Sequence, residues 1–78
     1  MEYVYQVISD EVISELGENI TVYGVAMLLR ESGEVVFALH DIFMERSVAI
    51  DFVELCNELE LSPDHLYDAA YDYMVKTM

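Results

Sequence analysis

Apolar and polar positions follow two different rhythms along this chain, and the rhythm changes near residue 44. Before that point β-branched and aromatic residues dominate, the composition of strands. Tyr3-Val4-Tyr5-Gln6-Val7-Ile8 reads as a strand that continues through Val12 and Ile13 after a polar bulge at Ser9-Asp10-Glu11. Gly17-Glu18-Asn19 is a turn signal. Ile20 to Leu29 is the strongest strand, and Val35 to Ile42 is the third. Between them, Glu31-Ser32-Gly33-Glu34 predicts a hairpin loop with its glycine in the left-handed conformation. Three sequential strands joined by short turns predict an antiparallel meander.

After residue 44 the period is helical. Val48, Phe52, Leu55 and Leu59 recur at steps of four, three and four, which predicts a helix over roughly 47–60 with that stripe inward. Ser62-Pro63 marks a second helix start: serine accepts bonds from free N–H groups, and proline loses nothing in the first turn. That helix runs to about Lys76, with Leu66, Ala69, Ala70, Tyr73 and Met74 as its apolar positions. Alanine at Ser62 is expected to cost about 1 kcal/mol through loss of the cap. The fold class is therefore α+β, a three-stranded antiparallel meander followed by a two-helix hairpin packed on one sheet face. Phe52, Leu55, Leu59, Leu66 and Ala70 are expected to bury against Val25 and Phe37.

Length makes this one domain, 1–78, with strands in 1–44 and the helical hairpin in 45–78. Sixteen acids against three bases leave a net charge of −13, which repels phosphate and excludes direct nucleic-acid or anionic-membrane binding. Disorder is excluded in turn, because 55% of residues are hydrophobic. The acid is spread evenly, at −7 over 1–44 and −6 over 45–78. Cys56 is the single cysteine, so no intramolecular disulfide forms, as suits a reducing cytoplasm. Met1-Glu2-Tyr3 begins no signal peptide, and the longest uncharged apolar run, Ile20 to Leu29, is far below the roughly 20 residues of a membrane helix. The expected localisation is cytoplasmic.

No catalytic, cofactor-binding or metal site is expected. Glu54 and Glu58 flank Cys56 and would raise its pKa, which argues against a nucleophile. His40 and His65, without cysteine partners, make a poor zinc site, and the isolated glycines make no phosphate loop. Asp64, Asp68 and Asp72 form an i, i+4, i+8 carboxylate ladder on the second helix, with Tyr67 and Tyr71 beside it. Like charges at that spacing cost a helix about 0.2–0.5 kcal/mol per pair, and tyrosine is enriched at interfaces. These five residues are the candidate surface for a protein partner of basic character. The turn between the helices has the length of a DNA-binding helix-turn-helix, but the second helix offers acids where phosphate contacts need bases.

Thr21-Val22-Tyr23-Gly24-Val25, Asp41-Ile42 and above all the stretch from Val53 through Cys56, Asn57, Ser62, Pro63 and His65 to Asp68 resemble a small domain family of unknown function from clostridial-type Gram-positive bacteria. The resemblance covers about residues 3–74. It implies a compact bacterial cytoplasmic domain and brings no catalytic residue with it.

The function expected is therefore a small acidic interaction or regulatory domain without catalytic activity. The alternative is an acidic nucleic-acid mimic that inhibits a DNA-binding protein or nuclease. A mimic would gather acid on one surface, whereas both halves of this chain share it. Strands two and three are apolar on both faces, and helices cover only one, so self-association as a homodimer is expected unless Val12, Ile13 and Leu16 close the open side.

Overall fold

A computed structural model describes residues 3–77, so the Met1-Glu2 start lies outside the described residues. Strands β1 (Tyr3–Ile13), β2 (Asn19–Leu29) and β3 (Val35–Phe43) form an antiparallel sheet in the order β1-β2-β3. Helix α1 (Arg46–Glu58) follows, then a single 3-10 turn (Pro63–His65) that runs into α2 (Leu66–Thr77). Both helices pack on one face, α1 over β1 and β2, α2 over β3. This is the meander and helical hairpin that the two rhythms predict.

The β1–β2 register is unbroken from Tyr3↔Leu29 to Ile13↔Asn19, so no bulge interrupts β1. Ser9-Asp10-Glu11 is polar for another reason. Its three side chains are exposed, although they pair with Tyr23, Val22 and Thr21 of β2, and the hairpin runs on from there to a turn at Ser14–Glu18. The irregularities fall instead between β2 and β3. Tyr23 faces Phe43 while Val25 faces Leu39, so His40, Asp41 and Ile42 crowd opposite Gly24. Asp41 takes a left-handed φ of 55° to fit. A Cβ on Gly24 would collide with the Leu39 carbonyl oxygen, so only glycine permits this approach. One further residue is accommodated between the pairs Met27↔Phe37 and Leu28↔Val35. The second hairpin closes as expected, with Gly33 at φ 74° and its N–H donating to the Leu29 carbonyl at 2.8 Å.

The core joins Tyr5, Val25, Met27 and Phe43 of the sheet to Ala49, Phe52, Val53, Cys56, Leu66 and Ala70 of the helices. Phe43, Phe52 and Tyr73 form an aromatic triad, with centroids 5.2–6.0 Å apart. Burying a side chain such as Phe52 or Leu66 stabilises the fold by about 1.5–3 kcal/mol. Three of the five predicted helix anchors, Phe52, Leu66 and Ala70, are buried; Leu55 and Leu59 are 39% and 64% exposed. Their expected sheet partner Phe37 is 43% exposed. The inward stripe of α1 is Ala49, Phe52, Val53 and Cys56, turned about one residue from the expected one. Small side chains at 49 and 56 let the helix sit close to the strands.

The helix ends are set by backbone more than by side-chain caps. Glu60 sits at φ 50° after α1, the Glu60 N–H donates to Asn57 O at 3.3 Å, and the Leu61 N–H donates to Cys56 O at 3.0 Å. These are the paired bonds of a Schellman motif with glutamate where glycine is usual. Ser62 makes no side-chain cap bond, correcting the expected role; its carbonyl accepts from the His65 N–H at 3.0 Å.

One side chain ties the layers together. Asn57 Oδ1 accepts the Tyr5 N–H at 2.8 Å, and Asn57 Nδ2 donates to the Tyr5 carbonyl at 3.0 Å. The amide thus imitates a neighbouring strand at the outer edge of β1. The Tyr5 hydroxyl donates to the Leu61 carbonyl at 2.6 Å.

Replacing Asn57 by alanine strands both backbone groups and is expected to cost about 1–3 kcal/mol in denaturant unfolding. Ser62→Ala should stay within about 0.5 kcal/mol of the parent in the same measurement. Glu60→Gly relieves the left-handed penalty and should raise stability by up to about 1 kcal/mol, read as a shift of the denaturation midpoint at constant slope.

Candidate interaction surface

The sequence singles out the outer face of α2, and the structure divides it. Asp64 stands in the 3-10 turn, Asp68 and Asp72 in α2, and all three are exposed. Tyr67 and Tyr71 are 65% and 59% exposed. With Leu39, Ile42, Ala70 and Met74 they line a shallow groove of about 170 Å³ between β3 and α2. The other four tyrosines belong to the interior. Tyr5 is buried, and Tyr3, Tyr23 and Tyr73 pack against the core. The tyrosine excess is thus mostly core shielding, with two rings left for a surface role.

A second groove, about 210 Å³, runs between the helices. Leu55, Leu59, Leu61 and Ala69 line it, and Asp72 and Lys76 stand among its walls. Leu55 and Leu59, expected in the core, border this groove because the inward stripe of α1 lies to one side of them.

The two histidines do not meet. His65 is exposed in the 3-10 turn, within the helical layer. His40 points to the opposite face of the sheet, where its Nδ1 lies 2.8 Å from Asp10 Oδ2. Its partner is Asp10 of β1 and not the neighbouring Asp41. The pairing spans β2, since Asp10 faces Val22 and His40 stands beside Gly24, which has no side chain to block the path. Thirty residues separate the two groups, and only the strand register would have joined them.

That opposite face is mostly apolar. Register places Val4, Ile8, Ile20, Val22, Ala26, Leu28 and Ala38 there. Val22 and Ala26 are buried by their strand neighbours, and the others are half-buried. Ile13 and Leu16 do not fold back over it: they are 74% and 86% exposed at the hairpin end. Val12, 37% exposed, remains within β1. Asp10 is the one acid that the paired positions put on this face, and it is matched by His40.

Cys56 is buried, and burial pushes its thiol up to about 11 from 9.0. Desolvation is the cause, rather than the flanking Glu54 and Glu58. Burial likewise raises Tyr5, with smaller contributions from Cys56 and Tyr3. Among the described residues no three His, Cys, Asp or Glu side chains gather as a metal site. No helix among them is long and apolar enough to cross a membrane. No protein-family model, curated protein or solved structure matches the chain, so the resemblance read from the Val53–Asp68 stretch brings no relative's activity to it.

The Cys56 thiol should resist a thiol reagent in the native state, because at pH 8 a group with that pKa is only about 0.1% thiolate. The sign of its effect on stability follows from the raised value. Between pH 9 and about 11 the unfolded chain has released the proton and the folded chain holds it, so stability is complete below 9 and falls across that window. Thermal melts should show that fall, and Cys56→Ala should make it shallower.

Proposed function

We propose that this chain is a small acidic interaction or regulatory domain of a reducing bacterial cytoplasm, without catalytic activity, and that it works as a self-associated pair. The observation that carries the reading is a sheet covered on one side only. Its other face is apolar, and the one acid the paired positions place there, Asp10, lies 2.8 Å from the His40 ring through its Oδ2. Contiguous apolar surface of that kind marks a contact site on a protein of this size. A second copy suits it better than an unlike partner, because like surfaces meet there without bringing like charges together. Among the described residues the other acids lie at the loops, the hairpin end, the irregular end of β3 and the helices, so like charge opposes association mainly at a distance. Salt screens such repulsion beyond about 8 Å at physiological strength.

Outside the contact, the exposed Asp64, Asp68 and Asp72 beside Tyr67 and Tyr71 give the pair a surface suited to a basic protein and hostile to phosphate polymers. Inhibition by nucleic-acid mimicry gains no support from this geometry. The ladder is three carboxylates long, and Lys76 shares the interhelical groove with Asp72.

Sedimentation equilibrium across a salt series tests the reading. The 9.0 kDa chain should sediment as a dimer of twice that mass, with association strengthening as salt rises. A monomer at high salt and high protein concentration would overturn it.

A further inference from the structure

The two grooves differ in chemistry. No charged side chain lines the one beside β3. In the interhelical groove Asp72 and Lys76 stand among the leucines. Leu55 and Leu59, one helical turn apart, stay 39% and 64% exposed there, while Phe52 and Cys56 of the same helix are buried. Further acids surround the opening. At 3.6 residues per turn, Asp51 and Glu58 lie within about 60° of Leu55, on the side away from the inward stripe. Asp68 stands one turn before Asp72 on α2. All four acids are exposed.

We infer that this groove is the docking site for a basic amphipathic helix of a partner protein. The helix seats a leucine-sized anchor between α1 and α2 and lays lysines or arginines over the acids on either side. This rests on the reading of the chain as an interaction domain with a basic partner, and it names the contact. It leaves the open sheet face to the second copy, because the groove lies in the helical layer on the opposite side of the sheet.

Size and charge select the occupant. A cavity of about 150 Å³ holds one benzene-sized group, so the groove, about 210 Å³, takes an anchor side chain and not a helix backbone. Both walls are helix, whose backbone groups are bonded internally, so an extended peptide finds no ladder to join there. An amphipathic helix needs none, since its apolar stripe makes the contact. The surrounding carboxylates repel a fatty acid and, in a chain of sixteen acids and three bases, a second copy as well. They favour a cationic helix, and their exposed positions let them do so without being desolvated.

The probe is a labelled peptide of about 15 residues, long enough to hold a helix, with two leucines one turn apart and lysines flanking them. Fluorescence anisotropy on the full chain at physiological salt should show binding. That binding should weaken as salt rises, the reverse of the self-association proposed above. Glutamates in place of the peptide's lysines, or serines in place of its leucines, should each weaken binding about tenfold or more. Leu59→Ser and Asp72→Lys in the protein should each weaken it by about tenfold, and Lys76→Glu should tighten it about threefold. Tyr71→Ser, at the other groove, should change nothing. All four positions are exposed, and far-UV circular dichroism checks that the variants fold. If Leu59→Ser fails to fold, Asp72→Lys and Lys76→Glu decide. Binding lost in Tyr71→Ser and kept in Leu59→Ser would overturn this site and leave the basic partner at the β3 groove. Equal binding of the lysine and glutamate peptides, or none by a chain that sediments as a dimer, would overturn the docking helix and leave self-association standing. A dimer that dissociates in Leu59→Ser would put a second copy in the groove and overturn the proposal.

Discussion

The apolar core holds the helical layer against the sheet, and the paired hydrogen bonds between the Asn57 amide and the backbone of Tyr5 fix where it sits. Apolar packing alone fixes distance but not register, because it has no direction. The amide adds that direction. It can meet both the N–H and the carbonyl of one residue only when α1 ends beside β1 at a single height. The Tyr5 hydroxyl on the Leu61 carbonyl repeats the constraint one step further along the chain. The Schellman turn at Glu60 lies between these two contacts, so the backbone reversal and the strand edge hold each other. From there α2 can only run back over β3.

On the far side of the sheet, the crowding opposite Gly24 has a comparable role. Three residues of β3 against one of β2 bend the edge strand and re-aim His40 over the open face. The missing Cβ at Gly24 allows the approach, and the left-handed Asp41 absorbs the extra length. The contact between His40 and Asp10 is thus a product of backbone irregularity more than of the residues nearest them in sequence.

Element types and order were legible from the sequence, because the β-branched and aromatic runs over 3–8 and 20–29 and the helical period after 47 leave few other folds. What periodicity could not settle was rotation. Helix α1 is apolar over much of its circumference, so Val48-Phe52-Leu55-Leu59 and Ala49-Phe52-Val53-Cys56 fit a helical repeat equally well. The choice depends on small residues reaching the strands, a tertiary property. The Ser62-Pro63 start signal located the helix correctly, yet its hydroxyl is idle because a 3-10 turn begins there. Ser9-Asp10-Glu11 looked like an interruption and is instead regularly paired strand with exposed side chains. Of the candidate surface, the exposure of Asp64, Asp68, Asp72, Tyr67 and Tyr71 followed from their spacing.

The bond between Tyr5 and Asn57 spans 52 residues of chain. During synthesis at about 5–20 residues per second, Tyr5 therefore waits about 3–10 s for the side chain that completes its edge. Through that interval the nascent meander has an open strand at both rims, and a neighbouring nascent chain on the same message would offer the nearest match. A heavily acidic sequence is well suited to that exposure, because growing chains that carry like charge are slow to collide.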